Sequence, residues 1–171
     1  MPRDQFAEFL AQLRSTRFRD LAGARVWAAV PLTGELANRI VRDLLPKDVP
    51  VREVTLHPEA GNQVAIRITP RAALLPSITL KLSIERQPQL PGDPVLVLRM
   101  ATLPGLFGMA AGALPREKLL PAGVRLDGER ILVDLAALAR RHGAGDALEY
   151  VRELTITTEP GRFLLHVDAS V

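Results

Sequence analysis

The chain has 171 residues, a formal net charge of +3 at pH 7, 47% hydrophobic residues and only 4% aromatic residues. A chain of this length can bury one substantial core, which must here be mainly aliphatic, and its hydrophobicity excludes general disorder. It contains no cysteine, which excludes disulfides, thiolate metal ligands and cysteine nucleophiles. We expect one domain over residues 1–171, comprising an N-terminal amphipathic helix over 1–22 and an α+β part over 23–171.

The N-terminal segment has apolar residues spaced by three and four, as on one face of a helix. These residues are Phe6, Phe9, Leu10 and Leu13. Arg14, Arg17 and Arg19 follow close to the predicted helix end. Because each basic residue is attracted to anionic lipid, we predict that this cluster contacts an anionic membrane surface. A solvated helix end, where cations favour the helix dipole, is the alternative.

A strand and a helix are predicted next. Residues 25–32 form the strand, and Thr33 is a suitable N-cap for the helix that follows. The apolar stripe of this helix consists of Leu36, Ala37, Ile40, Val41, Leu44 and Leu45. The opposite face, which includes Asn38 and Arg39, is expected to face solvent.

A run of strands is predicted over 50–57, 62–71, 78–87 and 94–101, with a turn over 57–62. Apolar and polar residues alternate strictly over 64–69 and 78–85, and again near the C-terminus over 154–158 and 163–168. Such alternation predicts an antiparallel sheet with one apolar face and one polar face. Residues 95–98 are apolar at every position, which predicts a central strand or one covered on both faces.

The segment 100–115 contains no charged residue and is rich in glycine, and it includes Phe107 and Met109. We predict a mobile lid over an apolar cavity, with a buried crossover or a subunit interface as the alternative. A hairpin with Asp127-Gly128 at its tip follows. A short helix from 135, a turn over 146–152 and a last hairpin around 159–161 complete the chain.

Residue patterns typical of catalysis or metal binding are missing from the sequence. His57, His142 and His166 have no neighbours at metal-ligand spacing, no serine lies in a nucleophile-elbow context, and the glycines form no phosphate-binding loop. We therefore predict no catalytic residue, no metal and no cofactor. The arginines are scattered, almost balanced by acidic residues and not interleaved with aromatic residues, so nucleic acid is not an expected partner.

The order of elements resembles a known family. A strand ending at 30–33, a helix with Leu36-Ala37-Asn38-Arg39 and long strands precede the segments 120–126 and 131–135, a short helix and two last strands. This order resembles the tubular lipid-binding (TULIP) superfamily, in particular its small bacterial one-barrel and synaptotagmin-like mitochondrial (SMP) members. The resemblance covers residues 23–171. It implies an α+β fold in which a strongly curved antiparallel sheet wraps against a long helix, a half-barrel with an apolar groove, and pairing into a homodimer.

Function is expected to be the non-enzymatic binding or transport of a lipid or similar apolar ligand in that groove. The predicted lining consists of Val64, Ile66, Ile68, Ile78, Leu80, Leu82, Ile84, Val95, Val97, Phe107, Met109, Val133 and Leu165. Three alternatives remain: a dry core, a protein-interaction module that uses the same face, and a small enzyme acting on an apolar substrate.

The N-terminus, Met1 to Phe6, has no apolar leader, and no run reaches the roughly 18 apolar residues of a membrane span. We therefore expect a cytoplasmic protein that lies peripherally on a membrane, with export of a trimmed chain as the alternative.

Overall fold

The computed structural model describes residues 15, 22–45, 49–72, 76–101, 120–141 and 143–171. In chain order their elements are β1 (Arg25–Thr33), α1 (Gly34–Leu44), β2 (Val51–Glu59), β3 (Gln63–Pro70), β4 (Ile78–Arg86), β5 (Val95–Met100), β6 (Val124–Asp127), β7 (Arg130–Asp134), α2 (Leu135–Arg141), α3 (Gly145–Leu148), β8 (Val151–Glu159) and β9 (Arg162–Ser170). The predicted helix over 1–22, apart from positions 15 and 22, and nearly all of the predicted lid lie outside these ranges.

The strands form two antiparallel sheets. One has three strands in the order β1-β9-β8, and the other has six in the order β2-β3-β4-β5-β7-β6. The six-stranded sheet curls into a half-barrel, and bulges in β2 and β4 interrupt its register, a feature that increases local bending and twist. The predicted curved antiparallel sheet is confirmed. The fold is, however, mostly β, because the longest helix among the described residues is α1, with 11 residues.

Helix α1 begins where the sequence predicts. The Thr33 side chain accepts a hydrogen bond from the Leu36 amide (3.3 Å), and Glu35 lies in the first turn, near the positive end of the helix dipole. The prediction that Asn38 faces solvent is wrong. Its amide nitrogen donates to the Leu56 carbonyl (3.0 Å), and its amide oxygen accepts from the Leu56 N–H (2.6 Å). Asn38 is half-buried, because the edge of strand β2 lies beside this face of the helix and offers its amide both a donor and an acceptor.

The six-stranded sheet has the predicted alternation. Val64 lies directly opposite Leu82, Ile66 opposite Leu80, and Ile68 opposite Ile78. Directly opposed residues share a face, so these side chains form one apolar surface. Strand β5 is central, between β4 and β7, as its continuous apolar run predicts.

Two turns differ from the prediction. Strand β2 continues through His57 and Pro58 to Glu59, so that the turn begins at Ala60. Proline is compatible with this position because β2 is an edge strand, where a missing N–H need not break a ladder. The predicted turn over 146–152 contains most of helix α3 and the start of β8; it is a short helix followed by strand.

The two sheets meet at one end of the half-barrel. Leu96 of the large sheet packs with Leu154 and Ile156 of β8 in a buried cluster. At the same end, the Gly161 N–H donates to the Pro58 carbonyl (3.0 Å), and the Gly34 N–H donates to the Gly161 carbonyl (2.8 Å). A Cβ on Gly34 would lie 3.2 Å from that carbonyl oxygen, so this close approach favours glycine. The small sheet therefore closes this end, which we call the near end.

Candidate functional site

Most of the predicted groove-lining residues share one surface. Strand register places eight of them on the apolar face of the large sheet: Val64, Ile66, Ile68, Ile78, Leu80, Leu82, Ile84 and Val133. Leu165 lies on the small sheet, on the face shared by Ile156 and Val30, and packs against the buried cluster at the near end. These nine residues are thus brought to the inner faces of the two sheets.

Val95 and Val97 are placed elsewhere. Leu96 pairs with Val133 on the apolar face, whereas Val95 pairs with Asp134 and Val97 with Leu132. Because successive strand residues point to opposite faces, both valines lie on the outer face of the sheet. Their prediction as lining residues is therefore not supported by their position. A uniformly apolar strand gives no indication of which residues face inward.

Five predicted contact residues cannot be placed. Phe107 and Met109 of the lid, and Arg14, Arg17 and Arg19 of the membrane-contact cluster, lie outside the described residues.

Apart from the apolar strand β5, the outer face of the large sheet is mainly polar, as the alternation over 64–69 and 78–85 predicts. Arg130 Nε donates to both carboxylate oxygens of Glu85, at 3.1 Å each. This hydrogen bonding lowers the pKa of Glu85 and raises that of Arg130. An apolar ligand is therefore expected to contact the inner face of the sheet.

Burial varies along the inner surface. Toward the near end, Val64, Leu80 and Leu82 are buried, and Leu82 has an exposed fraction of 0%. Ile66, opposite Leu80, is only half-buried, and so are Ile68 and Ile78 farther along the sheet. The near end is therefore a packed core, and space for a ligand must lie farther from it.

Large apolar side chains are exposed on two consecutive elements. The exposed fractions are 50% for Val26, 48% for Val30, 43% for Leu36 and 38% for Ile40. Val26 and Val30 project from the inner face of β1, opposite Ala169 and Leu165. Leu36 and Ile40 lie one helical turn apart on α1, whose Ala37 and Leu44 are buried. We call these four residues the β1–α1 strip.

Sequence reasoning missed the two valines of this strip. Positions 26, 28, 30 and 32 alternate as Val, Ala, Val and Leu, which is the signal for an inner face. The intervening Trp27, Ala29 and Pro31 are also apolar, so the alternation between apolar and polar residues is not visible in this strand. Leu36 and Ile40 were assigned to the apolar stripe of the helix, but helical periodicity does not show which part of a stripe stays uncovered.

Polar groups are scarce on the inner side. The Thr158 hydroxyl is buried and has no hydrogen-bond partner among the described residues. In the part of the chain that the structure describes, no three His, Asp or Glu side chains come together as a metal site would require. The inner surface thus offers apolar contact and almost no directed polar recognition.

Comparison of the chain with protein-family models, curated proteins and solved structures finds no significant match. Among the helices in the described ranges, none has the length and hydrophobicity needed to cross a membrane.

Proposed function

We propose that this protein binds a lipid or a similar apolar molecule, without catalysis, against the β1–α1 strip and the half-buried part of the inner sheet surface. The observation that carries the proposal is the strip itself. Four large apolar side chains on two consecutive elements are each 38–50% exposed, and exposed apolar surface that gathers in one region of a protein marks an interaction or ligand-binding site. Covering a half-exposed Val, Leu or Ile side chain contributes roughly 1 kcal/mol.

The form of the sheet supports a ligand with acyl chains. Its inner surface is lined by branched aliphatic side chains that make contact without directional hydrogen bonds, which suits a flexible hydrocarbon. The near end is closed by the small sheet, whereas the half-buried isoleucines Ile66, Ile68 and Ile78 lie away from it. A chain entering from the strip would therefore meet apolar surface on more than one side, as ligand pockets generally provide.

We further propose membership of the tubular lipid-binding superfamily, in which such a sheet would enclose its ligand together with a long helix. The curled antiparallel sheet and the order of the elements from β1 to β9 support this assignment. Pairing of two copies and contact with an anionic membrane remain predictions that depend on it.

The proposal is tested by identifying what the purified protein carries. Mass spectrometry of an organic extract should detect lipid in stoichiometric amount. Val30→Asp places a charge in the strip and should reduce the retained lipid at least about tenfold, since an unpaired carboxylate is strongly disfavoured against hydrocarbon. The matched control is Ala29→Asp, because Ala29 is exposed on the opposite face of the same strand.

Equal lipid content in the two variants would exclude the strip as the binding surface. An extract without lipid, together with no binding of added fatty acid or phospholipid, would overturn the proposal. A stoichiometric protein partner in place of lipid would instead support the interaction-module alternative.

A further inference from the structure

A second surface, on the outer face of the three-stranded sheet, is unrelated to the apolar strip. It contains a shallow cavity of about 80 Å³ lined by Trp27, Glu153, Thr155, His166 and Asp168. The register pairs Trp27 and Glu153 with Asp168, and Thr155 with His166. Five side chains from three adjacent strands therefore converge on one face, opposite the face that packs in the core.

Trp27 dominates this surface. Its exposed fraction is 71%, the highest among the large apolar side chains of the described residues. Because it points away from the core, its indole contributes little to packing, and the free energy of hydrating its ring is unfavourable. An exposed indole beside a polar cavity therefore resembles a recognition platform more than a packing element. The negative face of the ring attracts weakly positive C–H groups as well as cations.

The polar groups around the indole are held in place. Arg25 Nε donates to Asp168 Oδ1 (3.0 Å), and a second nitrogen of the guanidinium contacts Asp168 Oδ2. The Asp168 side chain is only 14% exposed, so the carboxylate is fixed at the floor of the surface. His166 Nε2 lies 3.5 Å from Thr157 Oγ1, on the same face of the sheet.

The balance of charge favours a neutral ligand. Arg25, by hydrogen bonding and by charge, and Arg152, by its charge, lower the pKa of Asp168, so two cations offset the carboxylates of Asp168 and Glu153. Donors and acceptors are both present, since carboxylates accept, guanidinium donates, and hydroxyl and imidazole can do either. Hydroxyl groups of a ligand need this mixture, whereas the balanced charges give a cation no net attraction beyond that of the indole.

We propose that this cavity is a saccharide-binding site: one sugar ring lies with its C–H face against the indole of Trp27 and directs adjacent hydroxyl groups into the cavity. The volume is consistent with this arrangement. About 80 Å³ is too small for a drug-sized ligand, but it has room for a few hydroxyl groups in place of waters, since about 10–15 Å³ of such cavity volume is enough to hold one water. The ring itself stays outside, on the exposed indole.

Trp27 makes the proposal directly measurable, because it is the only tryptophan in the chain. Its fluorescence should change saturably on titration with cellotetraose, whose β-linked glucose rings present axial C–H groups, with half-saturation at or below about 10 mM. Glu153→Ala should weaken binding at least about fivefold, because it removes an acceptor for sugar hydroxyls. Glu159→Ala is the matched control: Glu159 lies on the same face of the same strand and pairs with Arg162 at the hairpin, outside the cavity.

Three results would overturn the saccharide site: no saturable response to cellotetraose or to a panel of other oligosaccharides, a response to tetramethylammonium but to no saccharide, or equal weakening by the two glutamate variants. None of these measurements involves lipid. The outcome is therefore independent of the proposed lipid function.

Discussion

At the scale of single residues, Thr158 shows how the inner surface tolerates an unfavourable group. It lies in β8 opposite Phe163, on the face that packs toward the large sheet. Its hydroxyl is buried without a partner among the described residues. A hydroxyl removed from water without a new hydrogen bond costs about 1–3 kcal/mol, so this side chain is expected to lower the stability of the fold.

Thr158→Val should therefore raise the free energy of unfolding by about 1 kcal/mol, since valine has nearly the same shape and no hydroxyl to desolvate. Chemical denaturation of the two proteins measures the difference. The control is Thr157→Val, on the opposite face of β8, for which a change within about 0.5 kcal/mol is expected. If Thr158→Val is destabilising, the hydroxyl has a partner in solution, and this reading of its burial is wrong.

At the scale of elements, side-chain amides extend the hydrogen bonding of exposed strand edges. Gln87 Nε2 donates to the Ile156 carbonyl (2.7 Å), and Gln87 Oε1 accepts from the Ile156 N–H (2.9 Å). Asn38 makes the equivalent pair with Leu56, and Asn62 Oδ1 accepts from the Thr158 N–H (3.2 Å). Each amide occupies the place of a peptide group in a neighbouring strand. The edges of β2 and β8 are thus partly satisfied, which limits pairing with other chains.

Gln87→Ala should lower the free energy of unfolding by about 2–3 kcal/mol, because it removes two hydrogen bonds and leaves the Ile156 peptide groups unpaired in a half-buried site. Gln63→Ala is the matched control: Gln63 is an exposed strand residue, and a change within about 0.5 kcal/mol is expected. Thermal or urea unfolding would distinguish the two. Equal effects would mean that the Gln87 contacts with β8 contribute nothing to the docking of the small sheet.

At the scale of the whole molecule, stability should be concentrated where the two sheets meet. Strands β4 and β5 each pair with two neighbours and contain the buried residues Leu80, Leu82, Leu96 and Val97. Strand β1 pairs with β9 alone among the described strands, and none of its residues is fully buried. The strip that we assign to ligand binding lies partly on this weakly held strand, as binding elements commonly do.

Amide hydrogen exchange should therefore be at least about tenfold faster in Arg25–Thr33 than in Ile78–Arg86, because local opening of an edge strand breaks fewer contacts. Mass spectrometry of peptides after exchange in D2O resolves the two segments. Binding of phospholipid should slow exchange in β1 and leave β4 nearly unchanged. Equal protection of β1 and β4 in the ligand-free protein would contradict this distribution of stability.

Sequence patterns predict much of the local structure and less of the site. The alternation over 78–85, the cap at Thr33 and the hairpin at Asp127-Gly128 all indicate elements that the structure contains. Extension of β2 through Pro58 is not evident locally, because proline is compatible with a strand only when that strand lies at an edge. Residues 95–98 are all apolar, so the sequence does not show that Val95 and Val97 point to the outer face of the sheet.

What the sequence determined by itself is the set of strands and the presence of one apolar face, since alternation and turn residues act over a few neighbouring positions. Tertiary structure decided which part of that face is core and which part is open. Leu82 and Ile68 are equivalent in pattern, yet the small sheet closes one end of the half-barrel, and only Leu82 is fully buried. The exposed strip on β1 and α1 and the cluster around Trp27 likewise depend on strand order and sheet packing. Their residues are separated by up to 141 positions, from Trp27 to Asp168, a distance over which local periodicity carries no information.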